Sequence, residues 1–336
     1  MPSLPVTSTL RFDYEHSDAE ALLRRDDALL AVFGFGAACP LPPDARVLRV
    51  GLEPIGAAPL EVWRTSGPVH HGHDGDLRWS SGGEHLFFAI EVEEAAHGGI
   101  EAAAEYAYQR VARFVSASTQ HHLLRLWNYL DAINAGGGDA ERYRLFCRGR
   151  ARSLAASGLR HYPAASAIGR QDGVRVLQVY GLAARHPGTA VENPRQVSAW
   201  RYPRQYGPTP PTFARGMRVG ARQLLISGTA AVVGHASCHP GDAGAQLDET
   251  LANLHSLLRE AGLAEPTLGR GSLLKIYLRD AALATLVEAR LRERIANAPP
   301  MLMLAGDICR RELLLEIDGE HRADGAATES AALQNR

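Results

Sequence analysis

The same order of elements occurs twice along this chain, and that repetition restricts its fold more than any other property. After a helical stretch near residues 18–33, Pro40, Pro42 and Pro43 open a strand-rich region. Residues 46–53 and 60–66 read as short strands and 70–76 as a loop, ahead of a hairpin at 77–92 that breaks at Ser81-Gly82-Gly83. Ile100, Ala103, Ala104, Ala107, Val111 and Phe114 then recur at helical spacing over residues 99–118. A strand (122–130), a helix (139–156) and a strand (175–184) complete the half. The second half offers a hairpin at 222–234 broken at Ser227-Gly228, then a helix at 242–261 with Leu247, Leu251, Leu254 and Leu258 on one stripe. A strand (272–278), a helix (282–296) and two terminal strands (301–305 and 312–318) follow.

The spacings agree: Ser81 precedes Tyr129 by 48 residues, and Ser227 precedes Tyr277 by 50. The segments Leu126-Trp-Asn-Tyr-Leu-Asp131 and Lys275-Ile-Tyr-Leu-Arg-Asp280 also match in kind. An α+β fold is the expectation, built from two copies of one unit, each a mixed sheet covered on one face by two helices. The boundaries read as an amino-terminal domain at 1–184, a Pro/Arg/Tyr-rich strap at 185–220, a carboxy-terminal domain at 221–318 and a polar tail at 319–336. The strap reads as too polar and too broken by proline for a strand or helix.

Composition bounds the partners. The chain has 336 residues, 46% hydrophobic and 22% charged, which supplies core enough for two domains. A net charge of −1 creates no field that would draw in nucleic acid or a membrane surface. No apolar run approaches the ~18 residues of a membrane span, and the first twenty residues lack the basic and apolar regions of a signal peptide. Cys39, Cys147, Cys238 and Cys309 are widely spaced, so free thiols in a reducing cytoplasm are expected. Lys275 is the single lysine; every other basic residue is arginine, which with the abundant Ala, Gly and Pro reads as the codon bias of a GC-rich genome. No GxGxxG, Walker, GxSxG or HExxH pattern occurs, which speaks against nucleotide enzymes, serine hydrolases and zinc proteases.

Within the strap, residues 192–215 carry four arginines, three tyrosine or tryptophan rings and five prolines. Proline holds such a segment in a preset shape, and arginine with tyrosine suits an anionic ring. The same composition serves a plain interdomain strap with solvated arginines. His235, Cys238 and His239 lie close together, as do His70, His71, His73 and Asp74, but neither cluster has a partner at zinc-finger spacing, and both read as polar loops with no metal. Glu316 interrupts the apolar run Leu313-Leu-Leu-Glu-Ile317, where a carboxylate must be paired, protonated or lining a cavity unless the strand is an exposed edge.

Residues 220–318 resemble the RidA/YjgF-like family through Leu-Ile-Ser-Gly228, the helix ending at Gly262, Leu-Leu-Lys-Ile-Tyr-Leu-Arg-Asp280 and Leu-Leu-Leu-Glu-Ile-Asp318. That family has a chorismate-mutase-like α+β fold, and many members hydrolyse imines between subunits of a trimer. Where those deaminases carry an arginine, this chain has Pro299-Pro300-Met301, which speaks against imine hydrolysis. From end to end the chain is more similar to the chorismatase family, through the strap motif from Asn193 to Gly207, Trp127-Asn-Tyr129, Glu141-Arg-Tyr143, Phe146-Cys-Arg-Gly-Arg150 and the segment from Ser227 to His235.

That resemblance implies a cofactor-free lyase acting on chorismate, a cyclohexadiene bearing a ring carboxylate and an enolpyruvyl ether with a second carboxylate. The family's acid–base glutamate matches Glu316, and a cysteine seven residues earlier, here Cys309, resembles the types that form an aromatic product. Substrate contacts fall on Arg150, Tyr202, Arg204, Tyr206, Arg215 and, in the pocket wall, Ala230, an alanine the water-adding types also favour. The implied products are pyruvate and 3-hydroxybenzoate, alone or with 4-hydroxybenzoate, feeding an aryl pigment, a polyketide starter or a quinone head group such as ubiquinone. A chorismate hydrolase giving a dihydroxycyclohexadiene carboxylate, an imine deaminase and a non-catalytic small-molecule binder are the alternatives. Assembly is expected as a monomer or a homotrimer.

Overall fold

The computed structural model describes residues 10–156 and 161–323. The chain first forms β1 (Arg11–Glu15), α1 (Ala19–Arg25), β2 (Leu29–Phe35), β3 (Val47–Val50) and β4 (Leu60–Arg64), which make a four-stranded sheet in the order β1-β4-β2-β3. Every residue of β2 is buried, because α1 covers one face and the molecule's central core the other. The helical stretch expected over 18–33 therefore ends early. Asp18 caps α1, and the Asp26 carboxylate accepts from the Ala28 backbone N–H (3.0 Å), turning the apolar run that follows into strand.

The first repeated unit consists of β5 (Val69–Asp74), β6 (Leu77–Gly82), β7 (His85–Glu93), α2 (Ile100–Ala117), β8 (His122–Asp131), α3 (Arg142–Ala156), β9 (Ala164–Arg170) and β10 (Val176–Ala184). Its sheet runs β5-β6-β7-β10-β8-β9, with β8 and β9 parallel. The second unit has β11 (Thr189–Val191), β12 (Gly216–Val219), β13 (Gln223–Thr229), a small hairpin of β14 (Val232–Val233) and β15 (Ala236–Ser237), α4 (Ala243–Glu260), β16 (Ser272–Leu278), α5 (Ala284–Arg294), β17 (Met301–Ala305) and β18 (Leu315–Arg322). Its sheet runs β11-β12-β13-β18-β16-β17, again with one parallel pair, β16 and β17. The two orders superpose strand for strand, so the fold is α+β and duplicated.

Each unit buries one sheet face under its own helices. Phe88, Ile90 and Leu126 pack against Ala103, Ala107 and Val111 of α2, and Leu224, Ile226 and Ile276 against Leu247, Leu251 and Leu254 of α4. Helices α2 and α3 touch at Gly149, where any Cβ would strike the Glu101 carbonyl. The remaining sheet faces meet in a central core with Trp63, Phe87, Tyr129, Tyr180, Leu225 and Tyr277.

Several sequence expectations need correction. Residues 70–76 are mostly strand, since β5 pairs along β6 from Val69↔Gly82 to Asp74↔Leu77; its polar side chains hid a ladder made by the backbone. Strand β9 was not anticipated, because Ala-Ala-Ser-Ala-Ile-Gly-Arg has no apolar alternation. Ser227-Gly228 is not a hairpin turn but lies within β13; the turn falls at Gly220 (φ 60°), between β12 and β13. Ser81 therefore does not correspond to Ser227: it lies on β6, whose counterpart is β12. The strap contains β11 and β12, paired from Thr189↔Arg218 to Val191↔Gly216. The boundary at 318 is also early, for β18 continues to Arg322, which pairs with Gln223. The rest of the expected tail, from residue 324, lies outside the described residues.

Candidate active site

A cavity of about 450 Å³ lies between β9 of the first unit and β13 and β18 of the second, closed by the strap, α3 and the loop at residues 306–314. Glu316, Cys309, Arg150, Tyr202, Tyr206, Arg215 and Ala230 all line it. Arg204 does not. Its guanidinium lies at the surface, 65% exposed, and pairs with Asp139 through bonds of 2.9 and 2.5 Å, so in this structure it is outside the cavity in which a substrate contact was expected.

Glu316 stands opposite Tyr277 in the register of β18 and β16, with its side chain crowding the face of Gly228. A Cβ on Gly228 would overlap the carboxyl group, so a larger residue there would displace the Glu316 carboxyl from this position. Burial pushes the Glu316 carboxyl up to about 8, and the nearby Asp318 adds to the rise, while Arg125, Arg215 and Arg310 oppose it. At neutral pH the group is therefore mostly a neutral acid, able to give a proton and then receive one. The Cys309 thiol is pushed up to about 12, first by burial and then by Glu316, which keeps it neutral rather than nucleophilic.

Five arginines and three glutamates line the cavity. Arg144 lies near Asp139 and Glu141 and Arg311 is exposed, and the other three arginines are held in place by hydrogen bonds. Arg150 on α3 donates to the Thr212 carbonyl (3.0 Å) and lies over the Tyr108 ring. Arg215, at the end of the strap, donates to the Val197 carbonyl (2.9 Å) and the Tyr202 hydroxyl (2.6 Å). Arg310 donates to the His235 carbonyl (2.8 Å) and Ser237 Oγ (3.1 Å), with its guanidinium 3.9 Å from the centre of the Tyr206 ring. Among the described residues none of the three has an ion-pair partner, and each keeps one buried N–H group unspent: Nε of Arg150, Nε of Arg215 and Nη2 of Arg310. Carbonyls fix the guanidinium groups without neutralising them. Such a wall is built for anions.

Sequence reasoning missed Arg310, Ser166 and Phe213, which also line the cavity. The run Cys309-Arg-Arg-Glu312 before the last strand was a readable signal for Arg310; Ser166 had none, lying in the unanticipated β9. The histidine clusters sit elsewhere. His239 approaches Glu249 (3.4 Å), His235 meets the Tyr206 hydroxyl (3.4 Å), and His70, His71 and His73 lie along β5. Among the described residues no group of three or more His, Cys, Asp or Glu side chains is disposed to hold a metal, and no helix is long and apolar enough to cross a membrane.

A duplicated α+β scaffold with an arginine-lined cavity around a buried carboxyl suits a small anionic ligand, and known proteins share this arrangement of the chain. The family model described as Chorismatase FkbO/Hyg5-like, N-terminal, matches residues 61–183. A 3-hydroxybenzoate synthase of Streptomyces hygroscopicus is 30% identical over 341 residues, covering 95% of this chain and 98% of the relative. A chorismatase of Streptomyces rapamycinicus is 36% identical over 276 residues, covering 77% of this chain and 81% of its own. A crystal structure of a chorismatase superposes with a TM-score of 0.81 at 30% identity, over 94% of this chain and 98% of that one. The chain belongs to the chorismatase family, and it is an enzyme.

Proposed function

We propose that the protein cleaves the enolpyruvyl ether of chorismate, releasing pyruvate and leaving 3-hydroxybenzoate, alone or with 4-hydroxybenzoate. The observation that carries this reading is the wall of three unneutralised arginines around a protonated Glu316. Chorismate brings two carboxylates to such a wall, and Arg150, Arg215 and Arg310 line it with positive charge that no ion-pair partner among the described residues offsets. Tyr202, Tyr206 and Phe213 supply aromatic wall to the cavity for a ring to pack on, and Ala230 contributes a small side chain.

Glu316 protonates the methylene carbon of the enol ether, which makes the ether carbon oxocarbenium-like; the glutamate left behind is then an anion that stabilises this charge. The bond from the ring carbon to the ether oxygen then breaks, and that oxygen leaves as the carbonyl oxygen of pyruvate. The neighbouring ring hydroxyl bonds to the vacated carbon and gives its proton to Glu316. Opening of the resulting epoxide with transfer of a ring C–H proton to its oxygen makes the ring aromatic as 3-hydroxybenzoate, whereas loss of a ring proton without the oxygen shift gives 4-hydroxybenzoate. Chorismate divides into hydroxybenzoate and pyruvate with no water gained, whereas the dihydrodiol requires one. The neutral Cys309, at the wall beside Glu316, serves to keep water from the reacting carbon and supports the aromatic outcome. The 3-hydroxybenzoate synthase relative points to the same product.

The working division is an amino-terminal domain to residue 184 and a carboxy-terminal domain that includes β11 and β12, with the intervening strap, residues 192–215, closing the cavity. Three sheets of one chain already enclose the central core, which supports a monomer, to be checked by sedimentation. Four free cysteines support a reducing cytoplasmic setting. The test is incubation with chorismate, with pyruvate read through a lactate dehydrogenase couple and the ring product by chromatography. Pyruvate with a dominant hydroxybenzoate peak is expected. No pyruvate above the uncatalysed background ends the reading, and a dominant dihydrodiol peak replaces it with hydrolysis.

A further inference from the structure

Alternate residues of a strand point to the same face, so β18 sets Asp318 beside Glu316. Asp318 is fully buried, and four donors converge on its Oδ2: Arg125 Nη2 (3.0 Å), Trp127 Nε1 (3.1 Å), Ser166 Oγ (2.6 Å) and the Tyr277 hydroxyl (2.9 Å). Donors alone surround that oxygen, which is how a carboxylate anion is held. Its other oxygen, Oδ1, is buried and has no partner among the described residues. The Arg125–Asp318 pair joins β8 of the first unit to β18 of the second with both side chains fully buried. Such a pair is seldom a gain in stability over apolar packing, so its presence beside the cavity calls for another reason.

Ser166 supplies the connection. Its hydroxyl accepts from Arg125 Nη2 (2.6 Å), donates to Asp318 and also lines the cavity, close to the point at Gly228 that the Glu316 carboxyl crowds. The charged and titratable groups facing Glu316 are Asp318 on its own strand, Arg125 from β8, Arg215 from the strap, Cys309 and Arg310 from the loop after β17, and Tyr143 from α3. Asp318 is the negative charge acting on it most strongly; the three arginines act the other way.

We propose that Asp318 is a positioning residue: its anion, clamped by Arg125, keeps the Glu316 carboxyl protonated between turnovers, so that Glu316 meets substrate as an acid. This rests on the reading of Glu316 as the acid–base group. It is testable without turnover. Protein labelled with carbon-13 at the glutamate side-chain carboxyl, with the Glu316 resonance identified by its loss in E316Q, reports that group's titration directly, and chorismate turnover is measured on the same samples. In D318N the titration moves down by about one pH unit, and kcat at neutral pH falls with KM within about twofold of wild type. In R125Q the titration moves up. Should either single variant fail to fold, D318N/R125Q buries no unpaired charge, and its Glu316 titration still moves from the wild-type position because the charge pair beside the carboxyl is gone. A Glu316 titration that stays in place in the folded variants overturns the proposal. A titration that moves as stated in a protein leaving chorismate intact overturns the function proposed above and leaves the role of Asp318 standing.

Discussion

The hydroxyls of Tyr129 and Tyr277 stand 3.2 Å apart at the centre of the molecule, one from each copy of the repeated unit. Each occupies the same place in its own sheet, on β8 and on β16. Tyr129 also meets Tyr180 (3.2 Å), Tyr180 receives a bond from Lys275 (3.3 Å), and Lys275 pairs with Glu61 (2.9 Å) of the four-stranded sheet. From Asp318 to Glu61 a single buried polar chain thus ties all three sheets together. The only lysine of the sequence is spent there, not on the surface.

Removing the Tyr277 hydroxyl should therefore cost stability before it costs chemistry. Tyr277→Phe leaves Asp318 with three donors and Tyr129 without one of its partners, all in a dry core. The expected loss is about 1–3 kcal/mol, read by urea denaturation. An unchanged midpoint would show that the chain of hydroxyl groups is not a structural tie.

Glycine at 228 leaves the Glu316 carboxyl its place. Gly228→Ala places a methyl where the Glu316 carboxyl lies, so turnover should fall on the order of 100-fold, with circular dichroism and melting close to wild type. Normal turnover would mean that Glu316 can work from another rotamer.

Glu316→Gln keeps the size of the side chain and removes the proton. Turnover should drop by about 10²–10⁴ while chorismate binding, followed by calorimetry, persists. In the wild type, activity that needs the acid form declines as pH rises through about 8. A variant that melts early but turns over normally per folded molecule would mark Glu316 as structural.

Two buried acids, Glu316 and Glu320, have folded values of about 8 against an ordinary 4.5. Between those limits the native chain keeps protons that the unfolded chain has released. Stability contributed by these protons is complete below about 4.5 and declines as pH rises towards about 8. Replacing either acid with glutamine should flatten the fall in stability across that window. A pH–stability curve of the same slope in E316Q and E320Q would refute the assignment.

The arginines should separate into two kinds. Loss of Arg215 or Arg310, which line the cavity with no ion-pair partner among the described residues, should raise KM by about tenfold or more. Arg204→Gln removes only an exposed pairing with Asp139 and should leave KM within about twofold. A large KM effect at Arg204 would show that the strap moves to bring it inside.

What the sequence by itself determined was the periodic part: the α2 and α4 stripes, the strands with apolar alternation, the duplicated order and the odd position of Glu316 in an apolar run. Those signals are local, because helix and strand periods are written into neighbouring residues. The tertiary structure decided what stands at the matching place of the first unit. Opposite Tyr129, where Glu316 stands opposite Tyr277, the first unit has Gln178, its amide committed to the Arg49 carbonyl (2.8 Å) and the Glu91 carboxylate (3.0 Å). It also decided that Arg310 faces the cavity while Arg204 faces water, and that Arg125 reaches Asp318 across 193 positions of chain. Pairings of that kind depend on which sheet faces meet, and no spacing between neighbours along a chain encodes that.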